Sequence, residues 1–311
     1  MRPSPIFFAP DHRLRAGWRF LVSIVVVIGA SGLVRLVRGP SPGMQYFRGS
    51  TILLLTLLLA LLIAGFAVLL HYLDRVRGGL LPAMGLPVDR SAFKDTGVGV
   101  VFGLALVSAC VGVIAVLGRV RLQAGPVHAG PIAVVLGMGL VAAMNEEMVF
   151  RGYPFQRLVE AIGAPGAVML LAGLFGAGHL QNPNATVWGA LNTVGFGVFM
   201  ALAYLRTRAL WLPWGVHFAW NLGLGLGYGM TVSGLSQFSV VVHGTIAGPR
   251  WLTGGDYGIE ASATATVGLL VATAVLLLFV KPRPAPEVIL GGDQPPQITP
   301  GSDQIPLGGI Q

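Results

Sequence analysis

Eight apolar segments, at roughly 17–36, 50–73, 96–117, 131–157, 164–181, 186–205, 209–230 and 261–280, constrain this chain more than any other feature. At 1.5 Å per helical residue, each is long enough or nearly so to cross a hydrocarbon layer ~30 Å thick. The pattern predicts an all-α polytopic membrane protein of about eight transmembrane helices. Composition removes the soluble alternative. Of 311 residues, 54% are apolar and 10% charged, about 40% of the charged fraction of an ordinary soluble domain. A segment 1–16 precedes the membrane domain at 17–280, and a tail at 281–311, rich in Pro, Gly and Gln, is expected to be disordered. The basic N-terminus and first apolar run read as a signal anchor rather than a cleaved signal.

The net charge of +8 does not indicate nucleic-acid binding. The basic residues sit singly or in small groups between apolar runs, without a dense patch interleaved with aromatics. They orient helices against membrane lipid instead. With the N-terminus inside, fourteen of the 20 Lys and Arg residues fall on the cytoplasmic side and six outside. An integral, multi-pass protein of the cell membrane with both termini cytoplasmic is therefore expected. The single Cys110 lies within an apolar run, so no intrachain disulfide can form.

The chemistry-bearing residues lie inside these apolar runs. The fourth segment contains Glu146, Glu147 and Arg151. An ionised carboxylate near the membrane centre costs about 2.5–3.5 kcal/mol, so two in succession need a reason. Glu147 and Arg151 share a helix face, acid first, the favourable order for a pair. Glu146 points about 100° away without a local partner, as a general base would. The fifth segment ends Phe175-Gly-Ala-Gly-His179, where Gly176 and Gly178 allow a neighbouring helix to approach the imidazole. The seventh carries His217 and Asn221 on one face. His71 and His128 read as helix-end residues, and His12 and His243 as loop residues.

Depth connects these groups. A turn is expected at Ile162-Gly-Ala-Pro165. If the fourth segment continues as one helix to Leu158, Glu146 and His179 both lie ~20 Å from that turn on antiparallel neighbours. His217 and Asn221 lie ~13–20 Å from the same side, so a site forms among the fourth, fifth and seventh helices. No Ser or Cys nucleophile stands beside a base. A carboxylate and a histidine can share an attacking water, while a second histidine and an amide donate to the developing oxyanion. Glu146, His179 and His217 could equally ligate zinc with an open position for water, although His-Glu-x-x-His is missing.

The ordered triple Glu146-Glu147-x-x-x-Arg151, Phe175-x-x-x-His179 and His217-x-x-x-Asn221 resembles the motifs of the CPBP (Abi) family of intramembrane proteases, which includes the type II CAAX prenyl endopeptidases. The similarity covers roughly 130–225. It implies an eight-helix fold and cleavage of membrane-bound or lipidated peptides. By motif, Glu146 with His179 would activate water and His217 with Asn221 would hold the oxyanion, supported by Glu147, Arg151 and Phe175. Metal-dependent and metal-free mechanisms both occur as readings of this family. The rival readings are a proton-coupled transporter, weakened by the lack of matching polar positions in the first three segments, and a non-catalytic scaffold or immunity protein.

Overall fold

The computed structural model describes residues 6–9, 13–38, 49–236, 238–284 and 289–290. Two long apolar helices come first, α1 (Ala16–Arg38) and α2 (Gly49–Tyr72). A short strand β1 (Val76–Gly78) and one helical turn α3 (Leu80–Ala83) lead to α4 (Arg90–Val116), whose first turn is capped by Asp89. After β2 (Val120–Ala124) come α5 (Ala129–Arg151), α6 (Tyr153–His179), α7 (Val187–Thr207) and α8 (Trp211–Leu222). Then follow β3 (Val242–Ile246), the single turn α9 (Arg250–Thr253), α10 (Ala263–Phe279) and β4 (Ile289–Leu290). The chain is a mostly helical integral membrane protein.

Among the described residues, five stretches are long and apolar enough to cross a membrane: Ala16–Val37, Thr51–Tyr72, Arg90–Val116, Ala129–His179 and Val187–Thr207. The fourth is not one rod. It breaks first at Gly152, where an added Cβ would lie 2.4 Å from the carbonyl oxygen of Met148. It breaks again at Gly163, whose φ of 81° only glycine adopts without strain. Pro165, two residues on, cannot donate to the preceding turn. The expected turn at 162–165 is thus present, but the helix expected to run unbroken to Leu158 ends at Arg151. The last two apolar segments are also shorter than expected. α8 gives way to a π-helical stretch at Gly223–Gly227, and α10 has 17 residues.

Among the described residues, two small antiparallel sheets accompany the helices: β1 with β4, and β2 with β3 in a five-residue register from Val120–Ile246 to Ala124–Val242. His243, expected in a loop, therefore lies on β3, opposite Gln123. His71 and His128 stand at helix ends, while His12 lies outside the described residues. Most of the tail expected to be disordered also lies outside them. Its first residues are anchored: Arg283 makes a two-pronged pair with Asp95 at 2.6 and 2.7 Å.

One end of the bundle, where α1 begins, gathers charge. Arg19 pairs with both Asp74 and Glu160, and Arg157 joins the same two carboxylates. The interior is apolar and has two centres. One lies among α1, α2, α5 and α6, around Phe66, Tyr153 and Phe155. The other lies among α4, α8 and α10, around Val107, Trp220 and Leu269. Helix α7 serves both, through Ala201 and Tyr204 on one side and Phe199 and Met200 on the other.

Close backbone approach fixes α8 against α4. A Cβ at Gly215 would lie 2.7 Å from Thr96 O and 3.2 Å from the Cα of Gly99, and one at Gly103 would lie 2.5 Å from Val216 O. Small residues at helix contacts permit the van der Waals packing that drives association in lipid. Gly215→Leu is therefore expected to cost about 1–3 kcal/mol or more through overpacking and to displace His217, two residues away. Gly112→Leu on α4, with no atom within 4 Å of its Cβ position, is expected to unfold at the wild-type temperature. Thermal unfolding of both variants in detergent compares the two sites directly.

Candidate active site

Four elements bring the polar residues of the apolar runs together. Helix α5 carries Asn145, Glu146, Glu147 and Arg151 in its last two turns. Glu147 and Arg151 are fully buried, and Arg151 Nη1 donates to Glu147 Oε1 at 3.2 Å. The expected i, i+4 pair is therefore present. Its second anchor was not legible in sequence: Arg151 Nη2 donates to the carbonyl of Gly197, at mid-length in α7, at 3.2 Å. That approach needs the glycine, since a Cβ at Gly197 would lie 3.0 Å from the Cα of Ala172 and 3.5 Å from the guanidinium.

The row continues to α8. His217 Nδ1 stands 2.8 Å from Glu147 Oε1. Glu147 is an acceptor beside a cation, so the imidazole donates through Nδ1. Nε2 then faces the other way, 3.7 Å from Glu146 Oε2, too far for a direct hydrogen bond. Glu146 is 40% exposed, yet its Oε2 is buried and lacks a hydrogen-bond partner among the described residues. The sequence placed Glu147 and Arg151 behind the site as support. The structure makes them more specific than that, because they hold one edge of the His217 ring.

His179 ends α6. Its Nδ1 lies 2.8 Å from the carbonyl oxygen of Phe175, to which it donates, leaving Nε2 free of that contact. The Phe175 ring meets His179 edge-on at 4.5 Å and carries the Arg151 guanidinium over its face at 4.8 Å. Phe175 thus touches both the arginine and the histidine. Gly176 sits against Ala190 and Val194 of α7, as close packing requires, whereas nothing lies within 4 Å of a Cβ at Gly178. Only the first of the two glycines admits a neighbouring helix.

Glu146, Phe175, His179, His217 and Asn221 all line one cavity of about 1080 Å³. Its wall is mainly apolar, with Leu54, Leu55, Met138 and Phe196 prominent, and a few convergent polar groups, the usual make-up of a small-molecule or peptide site. The cavity occupies the end of the bundle opposite the Arg19–Asp74–Arg157 cluster. Besides α5, α8 and the loops, its residues come from the last turns of α1 and α6 and the first turns of α2, α7 and α10. Sequence reasoning missed several polar lining residues there. The run Gln181-Asn-Pro-Asn184 directly after His179 carried a readable signal. Glu260, far along the chain, did not; it accepts from Trp220 Nε1 at 3.1 Å and from the backbone of Ser233. Asn145 was passed over as well, and it ties α5 to α2 by donating to Leu55 O at 3.0 Å.

Among the described residues, no group of three or more His, Cys, Asp or Glu is arranged to hold a metal ion. The zinc set considered from sequence, Glu146, His179 and His217, is not among such groups. Nδ1 of His217 turns to Glu147 and Nδ1 of His179 to Phe175, which leaves Nε2 as the open nitrogen of each ring.

Residues 128–223 match the family model described as type II CAAX prenyl endopeptidase Rce1-like. This segment relates the chain to the CPBP and CAAX protease family. The Rce1-like segment is under a third of the chain, yet it contains Glu146, Glu147, Arg151, Phe175, His179, His217 and Asn221. The rest of the cavity wall, including Leu54, Leu55, Ser233 and Glu260, lies outside it. No curated protein and no solved structure matches the chain.

Proposed function

We propose that the chain is an intramembrane endopeptidase that hydrolyses a peptide bond of a membrane-associated or lipidated peptide. The observation that carries this reading is the unpartnered Oε2 of Glu146, 3.7 Å from His217 Nε2 on the wall of the large cavity. A buried carboxylate oxygen without a donor calls for one, and water entering the cavity can supply it.

In the proposed reaction Glu146, assisted by Nε2 of His179, takes a proton from that water as its oxygen attacks the scissile carbonyl carbon. The oxyanion formed is met by the amide of Asn221 and by His217, protonated and held through Nδ1 by Glu147. With His217 as imidazolium, Arg151, Glu147, His217 and Glu146 alternate in sign and carry no net charge, the least costly arrangement away from water. Glu146 then passes its proton to the leaving amine as the C–N bond breaks, which restores the carboxylate and releases an acid and an amine. Preorganised donors of this kind typically contribute 10²–10³ in rate. The groups acting here are the protein's own carboxylates, imidazoles and amide.

This reading takes α1, α2, α4, α5, α6 beyond Gly163, α7, α8 with its π-helical extension, and α10 as eight membrane segments, with both termini cytoplasmic in the cell membrane. The site then lies among α5, α6 and α8, and the cavity opens toward the far face. The apolar wall suits the hydrocarbon part of a membrane-bound substrate, and no nucleic-acid surface is involved. His179→Ala and Asn221→Ala are each expected to lower kcat for peptide cleavage by about 10²–10³ in liposomes, with binding little changed. Cleavage by metal-depleted wild type is expected to persist in chelator. Full cleavage by both variants, or solute-coupled proton movement without cleavage, would overturn the assignment.

A further inference from the structure

A second cavity of about 520 Å³ lies away from the candidate site, between α4 and α10. Its floor is Cys110, Leu106 and Ala272, and its rims are exposed: Val113, Val267 and Val271 are each more than half exposed. Depth comes from small residues. Ala105, Ala109 and Gly268 all line it, and a Cβ at Gly268 would lie 2.8 Å from Cys110 Sγ. Along α10 the groove runs from Ala263 to Val275. At 1.5 Å per residue that is roughly 18 Å, close to one leaflet of a ~30 Å hydrocarbon core.

The mouth has different chemistry. Trp251, 66% exposed, forms its end, and Arg250 precedes it at the start of α9. The side chain of Arg119 passes beside Gly248, two residues earlier. Arg119 and Arg250 are exposed, and neither pairs with a carboxylate among the described residues. The nearby acid Asp256 is exposed, and Glu260 is occupied by Trp220 and Ser233. Tryptophan with arginine at the end of an apolar span is the usual chemistry of the membrane interface, and such cations attract anionic headgroups.

We propose that this groove is a binding site for one anionic phospholipid, with an acyl chain along α4 and α10 and its phosphate between Arg119 and Arg250. The leaflet-length groove fits a chain, and the paired cations at its mouth select the headgroup charge. The site is independent of the peptidase reading, since it shares no residue with the candidate active site.

The test is native mass spectrometry of the purified chain in detergent, with phosphatidylglycerol or phosphatidylcholine of identical acyl chains. The wild type is expected to retain one phosphatidylglycerol, with about five- to tenfold preference over phosphatidylcholine. Arg119→Gln/Arg250→Gln is expected to remove the preference while keeping chain binding. Ala109→Phe and Val267→Trp, both at exposed positions, fill the groove and are expected to abolish retention of either lipid while unfolding at the wild-type temperature. Retention unchanged in the groove-filling variants, or a preference unchanged in the arginine variant, would overturn the site. So would a wild-type dimer that either groove-filling variant abolishes, since a second copy would then be the occupant.

Discussion

Glu146→Gln is expected to lower kcat for peptide cleavage by about 10²–10⁴ while leaving thermal unfolding in detergent within a few degrees of wild type. The rate loss is the contribution of a positioned general base. Stability is spared because Glu146 Oε2 makes no hydrogen bond among the described residues and the side chain is 40% exposed. Glutamine is nearly isosteric and can still hydrogen-bond into the cavity, but it cannot accept the proton of the attacking water. The loss is expected in kcat rather than KM, since the carboxylate acts on water and not on the apolar part of the substrate. A variant that retains wild-type turnover would remove Glu146 from the reaction. A variant that unfolds early would instead make it a structural member of the Arg151–Glu147–His217 row.

How far the sequence reached depended on whether the decisive contact was local. The Glu147–Arg151 pair was legible because i and i+4 meet on any helix, and the break at Gly163 because glycine and proline stand two residues apart. The end of α5 at Arg151 was not, although Gly152 and Pro154 repeat nearly the same signal. Tyr153, Phe155 and Leu158 extend the apolar pattern past that point and masked it. The clash that requires the glycine, with Met148 O, exists only in the folded geometry. The convergence of Glu146, His179, His217 and Asn221 was anticipated from depth alone, yet it rested on an unbroken helix that the structure lacks. The groups nonetheless line one cavity because α7 packs against both α6 and α8 and sets their separation. The contact that orients His217 was not legible for a related reason, since Glu147 reaches it across 70 positions. The β2–β3 pairing and the carbonyl of Gly197 are likewise long-range, with no local pattern that names the partner.

The buried row also separates what holds the fold from what orients the site. Arg151→Met leaves Glu147 fully buried without its cation, and breaking such a pair from one side costs about 3–5 kcal/mol. The variant is expected to unfold well below wild type. Adding Glu147→Leu removes the stranded carboxylate, and replacing both members of a buried pair by apolar residues is often close to neutral. The remaining deficit comes from Gly197 O and His217 Nδ1, each left without its partner, at about 1–3 kcal/mol apiece. The double variant is therefore expected to recover much of the unfolding temperature lost by Arg151→Met. Cleavage is not expected to recover with it. Without Glu147 the imidazole of His217 has lost the contact that fixes its Nδ1 edge, so Nε2 no longer meets the oxyanion in one geometry. A fall in kcat at unchanged KM in a stable double variant marks Glu147 and Arg151 as positioning residues. Wild-type turnover in that variant would show that the pair serves the fold alone and that His217 is oriented by its packing against Phe196 and Phe175.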